Sequence, residues 1–255
     1  MNKTLTIGII AIVALIIGIV GFWMLSQNML KLSPDQYAFM QNNGGKNANA
    51  DQGTVVIAIT DTAANMGNVS AINMTVDKVY LHSESQGWVS VSSNSQTFEL
   101  LDLKAKKSLA LVVKTNVKAD TYDQVWLHVV KVMVTTSGTV KEAKLPSNDF
   151  KIKGIVKVIA NANANATASM DVIADESLHK TLKGELVFAP VIKFESQSNA
   201  TVNVTADNMV TIVSGNVDSS KSAGMDVTGE VRDNFKLDAK AIIEINAGVI
   251  QIQGS

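Results

Sequence analysis

Residues 53–82 read GTVVIAITDTAANMGNVSAINMTVDKVYLH, and this stretch decides the fold. Two apolar runs flank a loop of small residues. In the first run, the apolar side chains of Val55, Ile57 and Ile59 recur at every second position. A period of two places alternate side chains on the two faces of a β-strand, whereas a helix needs a period near 3.6. The stretch therefore predicts two strands joined by a loop.

The apolar positions of the second run change parity partway along it. They are even-numbered before residue 77 and odd-numbered after residue 78: Ile72, Met74, Val76, Val79 and Leu81. Because side chains alternate between faces, one extra residue returns the later positions to the core face. The pattern predicts a β-bulge at Asp77 or Lys78. The alternative is that two separate strands meet at a corner there.

The period of two continues through most of the remaining chain. It predicts further strands at 97–103, 108–113, 124–134, 168–174 and 186–194. Pro190 lacks the N–H that a strand ladder uses, so the last of these strands should lie at an edge or carry a bulge. One helical turn is expected at 175–180, and no amphipathic helix is expected after the N-terminal segment. The predicted fold class is all-β, an antiparallel β-sandwich.

The last apolar stretch predicts a hairpin. Residues 241–253 read AIIEINAGVIQIQ, with alternating isoleucines on both sides of Asn246-Ala247-Gly248. A three-residue loop that ends in glycine is a common hairpin connection, so we predict a C-terminal β-hairpin extension with arms 241–245 and 249–253. No charge follows Glu244, so the edges lack their usual protection. The hairpin should either cover the edge of its own sandwich or add to the sheet of a neighbouring molecule.

The N-terminal segment predicts where the protein is located. Residues 5–25 carry no charge, and 21 helical residues at about 1.5 Å each span roughly the 30 Å hydrocarbon core of a membrane. We predict an uncleaved signal anchor with one transmembrane helix at 5–25, and the chain after about residue 26 outside the cell. A cleaved signal peptide is the alternative.

These segments divide the chain into four parts. They are a cytoplasmic tip and signal anchor helix at 1–27, a flexible linker rich in asparagine and glycine at 28–52, a β-sandwich domain at 53–205, and a C-terminal β extension at 206–255. The predicted location is the cell membrane, crossed once, with the bulk of the chain extracellular.

Composition excludes several classes of function. The net charge is −1 and Arg232 is the only arginine, which argues against a nucleic-acid partner because phosphate recognition uses a basic surplus. The chain has no cysteine, so zinc fingers, iron–sulfur clusters, thiol catalysis and disulfides are excluded. It also lacks a Gly-x-Ser-x-Gly motif and a glycine-rich phosphate loop. We therefore expect no enzyme activity, no catalytic residue and no cofactor.

Few residues are candidates for a site. The three histidines lie too far apart in sequence for metal-ligand spacing: His82, His128 and His179. Asp61 with Asp175 and Glu176 is a weak candidate for a metal site, because calcium binds loop carboxylates, and turn capping is the alternative. Five Asn-x-Ser/Thr sequons after the anchor are candidates for glycosylation: Asn68, Asn73, Asn165, Asn199 and Asn203.

Seven pieces of the chain, in order, carry a resemblance to a known family. They are GTVVIAITD at 53–61, VSAINMTVDKVYLH at 69–82, GWVSV at 87–91, FELLDL at 98–103, ADTYDQVWLHV at 119–129, KLPS at 144–147 and ADESLHKTLKGELVFAPVIKFE at 174–195. Together they resemble the domain-of-unknown-function family 4382, found in archaeal and bacterial surface proteins. The resemblance implies a secreted, membrane-anchored β-sandwich and brings no established activity or catalytic residue. This chain has Thr62 and Ala63 after Asp61, where the family commonly has Ala-Pro.

From these observations we expect a non-enzymatic, membrane-anchored cell-surface protein with an extracellular β-sandwich used for envelope assembly or adhesion. Its partners would be the membrane through residues 5–25, a cell-envelope component, and further copies of itself through edge strands. The alternative is an extracytoplasmic binding module that takes a small ligand, sugar or metal ion through the sandwich loops.

Overall fold

The computed structural model describes residues 51–63, 65–160 and 164–253. The predicted signal anchor and the linker up to residue 50 lie outside these residues. Among the described residues, no helix has the length and apolar character needed to cross a membrane.

Sixteen strands and two short helices make up the described chain. In chain order they are β1 (Gln52–Thr60), β2 (Val69–Ser83), β3 (Gly87–Ser92), β4 (Gln96–Glu99), α1 (Leu100–Lys106), β5 (Leu109–Lys118), β6 (Asp120–Thr136), β7 (Thr139–Ala143), β8 (Asp149–Val158), β9 (Asn165–Val172), α2 (Ala174–Ser177), β10 (Leu178–Lys180), β11 (Leu186–Phe188), β12 (Val191–Val204), β13 (Met209–Met225), β14 (Val231–Asp233), β15 (Ile243–Asn246) and β16 (Val249–Ile252). Most strands belong to two six-stranded sheets that share one apolar core. The all-β prediction is confirmed.

The first sheet has the strand order β12-β9-β1-β5-β13-β14. Strand β12 also pairs with β13 along most of its length, so the sheet closes on itself. The pairs are antiparallel except for β1 with β9, which run parallel with Val55 opposite Ala166. The antiparallel prediction is therefore correct for this sheet apart from one pair. Strand β13 lies after residue 205, in the segment predicted as a C-terminal β extension, and it belongs to this sheet.

Strand β1 is buried on both faces, because the first sheet curls around it. Its odd-numbered residues face the main core and its even-numbered residues face a second apolar cluster inside the curl: Val55, Ile57 and Ile59, then Val56 and Ala58. Residues of β5, β12 and β13 complete the second cluster: Leu109, Leu111, Val202, Val204, Val210 and Ile212. Apolar residues at successive positions are typical of a strand that is covered on both sides.

The second sheet is built around the two long strands β2 and β6. The short strands β3 and β4 pair with successive parts of β2, and β7 and β8 pair with successive parts of β6. Three of these four edge strands have six residues or fewer, and β8 has ten. Short edges limit unwanted pairing with the strands of other molecules.

The predicted bulge in β2 is present. Val76 lies opposite Val129 and Lys78 lies opposite His128, so Asp77 is the extra residue. The apolar residues on both sides of the bulge are all buried in the core. Because β2 is one unbroken strand, the alternative of a corner is wrong.

The predicted strand at 97–103 is wrong in its second half, where a short helix stands. Strand β4 ends and α1 begins after Glu99. The Glu99 carboxylate caps α1 by accepting hydrogen bonds from the N–H groups of Leu101 and Asp102. It also accepts one from the N–H of Ile72 in β2. A local cap and a contact to the neighbouring strand together stop β4 and start the helix.

The predicted strand at 186–194 is in fact two strands in different sheets. Strand β11 pairs with β10, and β12 enters the first sheet after Pro190. Ser177 stands at the division, because its carbonyl accepts from the N–H of Ala189 and its hydroxyl accepts from the N–H of Val191. Pro190, between these residues, has no N–H to add to a ladder. The helical turn expected at 175–180 is present in its first half as α2, and Leu178–Lys180 form β10 instead.

The predicted C-terminal hairpin is present as β15 and β16, with a loop one residue shorter than expected. Ala247 and Gly248 form the loop with φ of 48° and 87°, which is typical of a two-residue type I′ turn. Ile243 and Ile250 pack with Val187 of β11 in a small apolar cluster. The hairpin therefore covers part of its own molecule.

The two sheets approach closely where β8 faces β12. Gly154 on β8 is buried, and a Cβ atom at this position would lie 2.4 Å from the ring of Phe194. Phe194 is itself fully buried in the main core. Because protein interiors are close-packed, a side chain at 154 and an aromatic ring at 194 exclude one another.

Candidate functional site

Asp61, the first of the predicted metal candidates, follows β1 and is 2% exposed. Its Oδ1 accepts hydrogen bonds from the N–H groups of Ala63, at 2.8 Å, and Ala174, at 3.2 Å. Burial raises the pKa of the Asp61 carboxyl above its ordinary value, although these two hydrogen bonds oppose the shift. Asp61 thus ties the loop after β1 to the start of α2.

Substitutions at Asp61 separate its hydrogen bonds from its charge. Asp61→Ala removes the acceptor of two N–H groups, and we expect it to lower the free energy of unfolding by about 2–4 kcal/mol. Asp61→Asn keeps an acceptor oxygen, so we expect a change below about 1 kcal/mol at neutral pH. Urea unfolding measures both losses, and equal losses for the two variants would contradict the capping role.

The charge of Asp61 also predicts a dependence on pH. Because the pKa is raised in the folded state, the folded protein binds this proton more tightly than the unfolded chain does. Wild type should therefore gain stability relative to Asp61→Asn as the pH falls through the folded pKa towards the ordinary value of 3.8. If the difference in the free energy of unfolding between the two proteins stays constant over this range, the pKa of Asp61 is not raised in the folded state.

The other two metal candidates lie on α2. Asp175 is exposed, and the Glu176 Oε1 forms an ion pair with the Lys236 Nζ at 2.8 Å. Within the described ranges, no group of three or more histidine, aspartate or glutamate side chains is arranged to hold a metal ion.

The sequon asparagines differ in exposure. Asn68, Asn199 and Asn203 are exposed, the first in the turn before β2 and the others on β12. Asn73 and Asn165 are half-buried within strands, and the Asn165 Nδ2 donates to a backbone carbonyl of β12. On accessibility alone, the three exposed asparagines are the better candidates for glycosylation.

The outward face of the second sheet carries a cluster of aromatic rings. Trp88 of β3, Tyr80 of β2 and Trp126 of β6 stand on three adjacent strands. The register places Tyr80 opposite Trp126, and Trp126 opposite Lys151 of β8. The alternation that buries the neighbouring aliphatic residues directs these four side chains outward. We call Tyr80, Trp88, Trp126 and Lys151 the aromatic face.

The side chains of the aromatic face hold one another in place. Tyr80 and Trp126 stack with centroids 4.6 Å apart and planes inclined by 20°, and Trp88 meets Trp126 edge-on at 5.5 Å. The Lys151 ammonium lies 4.8 Å from the Trp126 ring centroid. Such contacts contribute about 0.5–1.5 kcal/mol each. Trp88 nevertheless remains 40% exposed, so the cluster leaves a large apolar ring open to a ligand.

Two histidine–aspartate pairs border the aromatic face. The His82 Nδ1 lies 2.6 Å from the Asp123 Oδ1, and the His82 ring centroid lies 5.0 Å from that of Trp88. The His128 Nδ1 lies 2.6 Å from the Asp77 Oδ1. A carboxylate accepts, so each Nδ1 donates and each ring is held in one orientation. The residue that the bulge adds to β2 is thus the one that orients His128.

The aromatic face could not be identified from the sequence. The alternation in β6 placed Trp126 and His128 on the outward side, but nothing linked them to other strands. A stronger signal for an exposed site combines composition with alternation. Aromatic residues make up 5% of the chain, and two of its three tryptophans occupy outward positions of this sheet. An outward tryptophan exposes apolar surface that folding alone does not require.

These observations define a protein of two packed β-sheets, one of which carries an outward aromatic face. The chain belongs to the family described as Domain of unknown function (DUF4382), whose model matches residues 52–190, more than half of the 255-residue chain. The match confirms the family resemblance, and the matched segment includes the whole aromatic face. No curated protein and no solved structure matched the chain.

Proposed function

We propose that this chain is a non-enzymatic, membrane-anchored surface protein whose β-sandwich binds neutral saccharide chains of the cell envelope through the aromatic face. The exposed aromatic cluster, bordered by polar groups, is the observation that carries the proposal. It combines adhesion, the leading expectation, with recognition of a sugar. It differs from the alternative expectation in using a sheet face instead of the sandwich loops.

The chemistry of a sugar ring matches that of the aromatic face. A pyranose has C–H groups on its faces, and these pack against the electron-rich face of an aromatic ring. Its hydroxyl groups lie around the edge, where hydrogen-bonding side chains must be placed. His82 stands opposite Trp88 of β3 on one side and opposite Gln124 of β6 on the other, and Asp123 holds the His82 ring in place.

The anchor belongs to the same proposal. We propose that residues 5–25 form an uncleaved transmembrane helix and that the following linker presents the sandwich outside the cell. N-terminal sequencing of the native protein tests the anchor, and a start near residue 27 would contradict it.

Substitution of the tryptophans tests saccharide binding. The full chain, in a non-ionic detergent, is titrated with soluble neutral polysaccharides while tryptophan fluorescence is recorded. We expect Trp88→Ala and Trp126→Ala each to weaken binding roughly five- to tenfold, because each loses a stacking contact of about 1–1.5 kcal/mol. Trp88→Phe should retain part of the affinity, since a smaller ring still stacks.

The matched control is Leu182→Ala, which removes a large apolar side chain that is even more exposed than Trp88 and stands outside the aromatic face. It should bind like wild type. The proposal fails if no neutral polysaccharide binds, or if the tryptophan variants bind as tightly as this control. Thermal unfolding of each variant shows whether a loss of binding comes from a loss of folding.

A further inference from the structure

A cleft of about 770 Å³ opens beside β10. It lies among the start of β2 with the residues before it, the end of β6 with β7, and the α2–β10–β11 segment. Met66, Val69, Leu178 and Leu186 give it an apolar wall. Its volume is typical of ligand sites, which span about 300–1,000 Å³. None of its lining residues belongs to the aromatic face.

Three lysines from different segments line this cleft. They are Lys141 of β7, Lys180 of β10 and Lys183 of the β10–β11 turn, and all three are exposed. In the part of the chain that the structure describes, none of their ammonium groups forms an ion pair. Asp175 is the one acidic residue among the lining residues. Three lysines less one aspartate leave two positive charges at this cleft, in a chain whose net charge is −1.

His179 stands in the wall of this cleft and of a second cleft of about 770 Å³ that also borders β10. Burial lowers the pKa of His179 and so favours the neutral imidazole, although a hydrogen bond with the Glu176 backbone opposes the shift. Its Nε2 has no hydrogen-bond partner among the described residues. An anion bound nearby would favour the protonated ring, so His179 can report on occupancy of the cleft.

We propose that the cleft lined by Lys141, Lys180 and Lys183 binds an acidic oligosaccharide that carries several uronate carboxylates. Cations on three separate segments suit carboxylates spaced along a chain better than a single small anion. The apolar wall suits the C–H faces of the sugar rings, and the hydroxyl groups of Thr136 and Thr139 provide hydrogen bonds for sugar hydroxyls. This site is independent of the aromatic face.

The test uses the full chain in a non-ionic detergent and tri-galacturonate as the probe, with binding measured by calorimetry at low salt. Wild type should bind the probe. A variant with Lys141→Gln, Lys180→Gln and Lys183→Gln should bind at least about tenfold more weakly, because it loses the charge-assisted hydrogen bonds. The matched control carries Lys118→Gln, Lys157→Gln and Lys193→Gln, which remove the same charge from exposed positions elsewhere. It should stay within about twofold of wild type, because distant charges are screened.

A second readout separates the cleft from general charge attraction. In NMR titrations, tri-galacturonate should raise the pKa of His179, with His179→Gln identifying the resonance. The uncharged maltotriose should leave the pKa of His179 unchanged. The proposal is overturned if wild type does not bind tri-galacturonate, if both lysine triples lose affinity equally, if inorganic phosphate binds as tightly, or if His179 does not respond. Because the aromatic face is intact in both triples, these failures do not affect the saccharide proposal made for it.

Discussion

Phe194→Ala is expected to lower the free energy of unfolding by about 3–5 kcal/mol, and Gly154→Ala by about 1–3 kcal/mol. The two changes have opposite physical causes. The first leaves a cavity between the sheets, because the Phe194 ring is fully buried. The second adds a methyl group where the Phe194 ring already stands, 2.4 Å from the position that the new Cβ would take. Urea unfolding of the purified variants measures both losses.

A double variant tests directly whether residues 154 and 194 compete for the same space. Gly154→Ala should cost less in a Phe194→Leu background than in wild type, because the smaller side chain leaves room for the methyl group. Ile155→Ala is the control, since Ile155 adjoins Gly154 on β8 and is 40% exposed, and it should cost less than about 0.5 kcal/mol. If Gly154→Ala costs the same in both backgrounds, its cost does not come from a clash between the new methyl group and the Phe194 ring.

Much of the fold could be predicted because it depends on neighbouring residues. The bulge at Asp77 follows from alternation alone, since a strand that changes parity must hold an extra residue if both halves face one core. The hairpin at 243–252 also depends on a short stretch, although its loop is one residue shorter than predicted. Asn246 extends β15 and pairs with Val249, which leaves Ala247 and Gly248 for the turn.

The parts that were predicted wrongly depend on features that apolar alternation does not reveal. In the FELLDL segment, the apolar spacing fits a strand and a short helix equally well, and seven helical residues are too few for a clear period. The cap is a glutamate instead of the usual serine, threonine, aspartate or asparagine. The break at Pro190 involves Ser177, which accepts hydrogen bonds from the N–H groups of Ala189 and Val191 on either side of the proline.

The candidate sites, like the fold, could be predicted from the sequence only in part. Alternation indicates which side chains point outward, so the outward position of Trp126 could be predicted. Strand register could not, and it is register that sets Tyr80 opposite Trp126 and His82 opposite Trp88. The three lysines of the cleft come from segments that meet only after the strands have paired. A site assembled across strands therefore becomes visible only once the pairing is known.

Ile243→Ala is expected to cost about 2–4 kcal/mol, and the neighbouring Ile242→Ala less than about 0.5 kcal/mol. The two substitutions are chemically identical and adjacent. Ile243 is 1% exposed and packs with Val187 and Leu237, whereas Ile242 is 43% exposed. A difference between the variants, measured by urea unfolding, therefore reports the burial of one face of the hairpin against β11.

The same measurement distinguishes intramolecular cover from strand exchange. If β15 and β16 added to the sheet of a neighbouring molecule, the wild-type unfolding midpoint would rise with protein concentration by mass action. We expect a midpoint that is independent of concentration, because the hairpin packs on its own β11 and the Lys144 ammonium donates to the Gly248 carbonyl at its turn. A midpoint that rises with concentration, together with equal effects of the two isoleucine variants, would mean that the hairpin does not pack on its own molecule. The exposed edge of β16 would then be the surface on which copies of the chain associate.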